Sequence, residues 1–179
     1  REDGEYVING TKLFVNDAIV ADYFLVAARA AEKTGAGAGI TLFLVDAGSP
    51  GSSMEVMPTI ALDKQCEVSF NEVRAPPTRI LGDEGRGSKI IERLLEKAAV
   101  LKCAESVGAM EAVVEMSTNY ARERVQYGKT IASFQVIQHY LANMSARTLE
   151  AKGMTYRAAW MVQESLPCTV QVSAAKAWS

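Results

Sequence analysis

The stretch that decides the fold is YARERVQYGKTIASFQVIQHYLANM, Tyr120–Met144. Helix-forming residues flank a break at Tyr127, Gly128 and Lys129, so the pattern predicts one helix ending near Arg124 and another starting near Ser133. Two readings of the break stand side by side. Arg122 and Arg124 near a helix C-terminus complement the macrodipole, and Gly128 serves the turn. Alternatively, Arg124 offers a planar donor fork beside the start of the next helix, whose free N–H groups attract anions. A pyrophosphate fits there, with Tyr127 as an apolar flank for a heterocycle.

Upstream, Ile90, Ile91, Leu94, Leu95, Ala98, Leu101, Val107 and Val113 recur at helical spacing. They predict one broad apolar stripe on a helix over Ser88–Arg124, about 55 Å long and in need of neighbours. Downstream, Ile137, Tyr140, Leu141, Met144, Leu149 and Tyr156 carry a second helix to about Gln163, and Pro167 is expected as the first residue of a third. Met110, Met116, Met144, Met154 and Met161 are expected to fill core gaps, and Trp160 and Trp178 to pack. His139 is the only histidine, which excludes a histidine metal cluster or a histidine-based triad elsewhere.

The first third carries strand punctuation. EYVINGTKLFV places Asn9-Gly10 between two strand-like runs, the signal for a two-residue hairpin. ADYFLVAARA (Ala21–Ala30) and GITLFLVDA (Gly39–Ala47) are further strand candidates, and CEVSFNEVRAP (Cys66–Pro76) alternates imperfectly. Four to six strands of an antiparallel β domain are expected. The run KTGAGAGITLF (Lys33–Phe43) leads into a strand, so it reads as a hairpin loop and not as a phosphate cradle. LGDEGRGSK (Leu81–Lys89) places Asp83 and Glu84 where they would repel an anion, and reads as an interdomain joint.

A net charge of −2, a pI near 5.6 and the lack of an extended basic run exclude a nucleic-acid surface. Cys66, Cys103 and Cys168 lack disulfide or zinc-ligand spacing, so no metal is expected and a reducing compartment fits best. No apolar run suffices to span a bilayer. The opening REDGEYVING without Met, and an Ala-rich end at VSAAKAWS without a stop signal, suggest a fragment cut at both ends.

Tyr120–Met144 resembles the acyl-CoA dehydrogenases. Their helical domain carries Tyr-Ala-x-x-Arg-x-x-Phe-Gly-(Lys/Arg), a short loop, then Phe-Gln-x-x-x-x-x-Leu-Ala-(Asp/Asn)-Met. The match is colinear over 25 positions, with Tyr127 for the usual phenylalanine and Asn143 for the usual aspartate. YVINGTKLFVNDAIVADYFLVAAR and VSFNEVRAPPTRILGDEGRG resemble the upstream parts in order and spacing. The resemblance implies an α+β fold: an antiparallel β-barrel-like middle domain, partial here over residues 1–84, then the long helices of an up-down bundle, truncated, over residues 85–179. It implies FAD as cofactor, shared between subunits of a homodimer or homotetramer, acyl-CoA as substrate and an electron-transfer flavoprotein as acceptor. It also implies a cytoplasmic protein, or a mitochondrial-matrix one in a eukaryote.

Carried over by residue, Phe14 stands for a Trp or Phe beside the isoalloxazine and Asn16 for a Thr or Ser that meets flavin N5. Val15 between them offers backbone groups only. Arg124 matches the arginine reaching the pyrophosphate of the neighbouring subunit's FAD, with Val125, Gln126 and Tyr127 beside it. Phe134 and Gln135 match the pair near the adenosine half. The usual catalytic glutamate would fall beyond Ser179. The rarer base position is Ala98, followed by Ala99 where an arginine is usual, so that base is absent. Glu96 matches an acidic residue associated with the acyl-CoA site. Two alternatives stay open: an acyl-CoA oxidase or flavin monooxygenase relative, and a non-catalytic oligomerisation scaffold.

Overall fold

The computed structural model describes residues 3–29 and 39–179. The chain divides into two compact units, Arg1–Ile91 and Glu92–Ser179. The first unit holds β1 (Tyr6–Asn16), β2 (Tyr23–Arg29), β3 (Ile40–Asp46), β4 (Ser52–Met57), β5 (Gln65–Ala75) and β6 (Ile80–Leu81). They form two three-stranded antiparallel sheets in the orders β1-β5-β4 and β2-β3-β6. Alternate residues of both sheets face one core: Tyr6 and Ile8, Phe24 and Val26, Phe43 and Val45, Val68 and Phe70. Among the described residues Phe43 is the largest fully buried side chain, and the Tyr6 ring lies 5.0 Å from it. Burying such a ring contributes about 1.5–3 kcal/mol.

Asn9-Gly10 is not a hairpin turn. β1 runs straight through it, and the register with β5 shifts between Ile8 and Gly10. A two-residue turn of this kind needs positive φ at both residues; only Gly10 has it, at 143°. Asn9 instead serves a bulge on β5. Its Nδ2 donates to Glu72 Oε1 at 2.6 Å while its Oδ1 accepts from the Glu72 N–H at 2.7 Å, holding Glu72 at φ 54°. That bulge explains the imperfect alternation of Cys66–Pro76, since the buried set runs Cys66, Val68, Phe70 and then Val73.

The strand candidates at Ala21–Ala30 and Gly39–Ala47 correspond to β2 and β3, whereas β4 gave no sequence signal. Most of the glycine-rich loop expected within Lys33–Phe43 lies outside the described residues. The stretch expected as a joint docks on β3: the Gly85 N–H donates to buried Thr41 Oγ1 at 2.9 Å, and a Cβ on Gly87 would meet the Ile40 carbonyl at 3.0 Å.

The helices are α1 (Gly87–Glu123), α2 (Gln135–Gln163) and α3 (Thr169–Trp178), with a minimal antiparallel pair β7 (Val125–Gln126) and β8 (Lys129–Thr130) between the first two. In the second unit α1 and α2 run antiparallel, since Glu111 meets Lys152 and, further along, Arg93 meets Ser165. Its core joins Val100 and Cys103 of α1, Ala158 of α2, and Cys168, Val172 and Ala175 at α3.

Several packing expectations fail here. The expected stripe is only partly covered: Val107 is buried, but Leu94, Leu95, Leu101 and Val113 are at least half exposed, and α1 is otherwise covered through Val100 and Cys103, which lie outside the stripe. Met116, Trp160 and Trp178 are likewise more than half exposed. Met154 and Met161 do pack on the core. Pro167 does not open α3, which starts at Thr169 with Cys168 in the capping position.

Candidate functional site

The break at Tyr127–Lys129 is a tight hairpin. Tyr127 and Gly128 have φ of 52° and 77°, the positive pair of a primed two-residue turn, and Val125 and Gln126 pair with Thr130 and Lys129. The Arg124 N–H donates to the Tyr120 carbonyl at 2.8 Å and the Arg124 carbonyl accepts from the Ile131 N–H at 2.8 Å. The backbone of Arg124 is thus fixed from both sides. Its side chain is exposed and, among the described residues, forms no ion pair.

A single helical turn at Ile131–Ser133 then leads to Phe134, which stands in the capping position of α2. Phe134 provides no side-chain cap, and no acidic residue lies in the first turn of α2. The first N–H groups of α2 therefore keep their partial positive charge. The Lys129 ammonium lies 4.5 Å from the centre of the Phe134 ring, and Tyr127 meets the same ring edge-on at 6.3 Å. Tyr127 itself is 92% exposed. Gln135 and Val125 are also exposed, and Gln138 Nε2 donates to the Ala132 carbonyl at 2.9 Å. This surface offers cations, free N–H groups and an aromatic plate, a donor set suited to a phosphate linked to a flat ring.

Phe14, Val15 and Asn16 end β1 in the other unit. A second register shift, between Lys12 and Val15, places Leu13 and Phe14 in a bulge, with Phe14 at φ 56° and 65% exposed. Val15 turns inward against the β core while Phe14 and Asn16 face outward. Lys12, Leu13, Val15 and Asn16 border a cleft of about 500 Å³ closed on the other side by Tyr23 to Ala27 of β2. Asn16 is opposite Gln65, whose buried Oε1 has no hydrogen-bond partner while its Nε2 donates to Asp63 at 2.6 Å. That donation, after a short bond from Thr59, holds the Asp63 carboxyl below its usual range.

Glu96 is partly buried on α1, where its Oε1 accepts from the Thr169 hydroxyl at 2.6 Å. Burial raises the Cys168 thiol above its ordinary pKa, and the charge and hydrogen bond of Glu96 push it further. His139 is exposed on α2. Among the described residues no three His, Cys, Asp or Glu side chains gather as a metal site, and no helix is long and apolar enough to cross a membrane. Sequence reasoning missed Lys129 and Gln65. Tyr-Gly is not a hairpin dipeptide that stands out in a sequence, and the pairing of Asn16 with Gln65 is non-local.

Two antiparallel three-stranded sheets followed by long helices make up the middle and C-terminal portion of the acyl-CoA dehydrogenase fold. The family models for the acyl-CoA dehydrogenase middle domain and C-terminal domain match residues 1–73 and 85–179 respectively. The chain belongs to the acyl-CoA dehydrogenase family. It is 34% identical over 178 residues to the short-chain-specific acyl-CoA dehydrogenase of Megasphaera elsdenii, which covers 98% of this chain and 46% of that relative. It superposes on the structure of butyryl-CoA dehydrogenase from Megasphaera elsdenii with a TM-score of 0.92 at 32% identity, over 99% of this chain and 47% of that one. PigA with FAD and proline gives a TM-score of 0.94 at 29% identity, again over 99% of this chain and 47% of that one. The chain spans about half the length of the relatives it matches.

Proposed function

We propose that this chain is the middle and C-terminal part, residues 1–84 and 85–179, of an FAD-dependent oxidoreductase that converts an acyl-CoA thioester to the α,β-enoyl-CoA. The observation that carries the reading is Arg124, an exposed guanidinium without an ion-pair partner among the described residues, on a backbone fixed at both ends, in a chain segment that leads to the uncapped start of α2. A pyrophosphate is the anion this donor set fits, and FAD in solved relatives, such as PigA with FAD, supports the assignment.

Arg124 would bind the pyrophosphate of FAD held mainly by a second subunit of a homodimer or homotetramer. Val125, Gln126 and Tyr127 would line that contact, and Phe134 and Gln135 would lie along the adenosine half. On the β unit, Phe14 would cover a face of the ring system, Val15 would offer backbone groups, and the Asn16 amide would donate to the ring edge. When bound, FAD supplies the acceptor for the hydride leaving the β carbon. A carboxylate from a segment beyond Ser179 would take the α proton, and an electron-transfer flavoprotein would receive the electrons.

The test is flavin retention. In the full-length protein, Arg124→Ala removes a charge-assisted contact worth about 1.5–3 kcal/mol, roughly a ten- to hundredfold loss of affinity. The flavin-to-protein absorbance ratio after gel filtration should fall, and an unchanged ratio would overturn the reading.

A further inference from the structure

The start of α3 has neither a side-chain cap from Cys168 nor an acidic first turn, and the helix is only ten residues long, too short to persist without packing. The preceding connection is set from the α2 side. There the Leu166 N–H donates to the Met161 carbonyl and the Ser165 N–H to the Val162 carbonyl, with Ser165 at φ 54°, the paired bonds of a Schellman ending.

Both ends of this connection are met by one face of α1. Arg93 donates from Nη2 to Ser165 Oγ at 3.5 Å, and three residues on, Glu96 accepts from the Thr169 hydroxyl at 2.6 Å. The residue before Thr169 is Cys168, whose side chain is buried in the helical core. Residues three apart on a helix lie on one side of it, so the pair acts as a two-point clamp.

We propose that Glu96 is a latch supplied from α1, which holds the first residue of α3 through the Thr169 hydroxyl and closes the bundle over the Cys168 thiol. The carboxylate brings to the α3 N-terminus the negative charge that its own first turn lacks. Cys168, 5% exposed at the edge of the bundle core, is the first buried group uncovered when the latch opens. The family resemblance alone places Glu96 near acyl-CoA; the hydrogen bonds give it this separate, positioning role, independent of whether FAD or a thioester binds.

The test is site-resolved thiol labelling of the full-length protein with iodoacetamide, read by mass spectrometry at Cys66, Cys103 and Cys168. Cys66 lies in the β unit and Cys103 is fully buried within the helical core, so both report wider unfolding. Thr169→Val, which leaves the Glu96 charge in place, should speed labelling of Cys168 by about tenfold, ahead of both other thiols; Glu96→Ala, which also releases the thiol from that charge, should be at least as fast, and the double variant no faster than Glu96→Ala. Glu96→Gln keeps an acceptor but not the charge, and should fall between wild type and Glu96→Ala. Unchanged Cys168 labelling, or a rise at Cys168 not ahead of Cys103 and Cys66, would overturn the latch. Flavin content is not expected to change with labelling, which separates this test from that of Arg124.

Discussion

Gly128→Ala isolates the conformational demand of the turn between α1 and α2. A Cβ built at Gly128 meets nothing within 4 Å, so the substitution adds no clash. What remains is the φ of 77°, a left-handed conformation that costs an L-residue about 1–2 kcal/mol. On the scale of 179 residues that lowers the melting midpoint by about 2–8 °C, and by less in a longer full-length protein. The strain falls on β7–β8, whose ladder is only two residue pairs long, and from there on the carbonyl of Arg124 that receives the Ile131 N–H. Flavin retention should therefore weaken together with the melt. Gly51→Ala is the comparison: at φ 87° it carries similar strain, but its Cβ would lie 2.0 Å from the Asn71 carbonyl oxygen. That carbonyl cannot yield easily, because the Asn71 N–H is bonded to the Gly51 carbonyl at 2.9 Å. Differential scanning fluorimetry of both variants in the full-length protein measures the contrast. Equal losses, or no loss in either, would refute the separation of strain from steric conflict.

Phe43→Ala should cost about 3–5 kcal/mol, read as a lower urea midpoint, because it empties the centre of the β core beside Tyr6. The Lys152–Glu111 pair makes a pH-dependent contribution: the hydrogen bond and charge of Glu111 raise the Lys152 pKa. A raised amine favours the folded state fully below the ordinary lysine value and loses that effect as pH rises through the raised one. The stability gap between wild type and Glu111→Gln should be constant near neutrality and close in alkali as Lys152 loses its proton; a gap that closes on acidification near pH 6 would contradict this sign.

Much of the fold was legible because its signals are local. The helix limits at Gly87–Glu123 and Gln135–Gln163 lie within two residues of those expected from periodicity and the break at Gly128. The misreadings are non-local. Asn9-Gly10 has hairpin composition, yet its geometry is set by Glu72, more than sixty positions away in sequence. Periodicity showed that α1 has an apolar side but not which part of it faces α2 and α3; Val100 and Cys103 are covered and Leu101 is not. At the candidate site, Arg124 and Tyr127 could be singled out, whereas the contact of Lys129 with Phe134 depends on a turn whose sequence does not announce it. Glu96 could be singled out only through the family resemblance, because its partner, Thr169, lies two helices further along.

The two bulges that frame β1 and β5 compensate one another. The first gives β5 an additional residue near Glu72, the second gives β1 an additional residue near Phe14, and each holds a non-glycine residue at positive φ. Tyr6 and Val15 therefore share one pairing phase, while the stretch from Gly10 to Lys12 is displaced by a single step. In such a ladder, inward or outward facing is a matter of parity. Deleting the additional residue of β1 alone would invert the parity beyond it, turning Val15 outward and Asn16 inward, and deleting that of β5 alone would turn Phe70, Val68 and Cys66 outward. Length changes in these strands can be accommodated only in matched pairs, so the outward facing of Phe14 and Asn16 is protected by a constraint written across two strands at once.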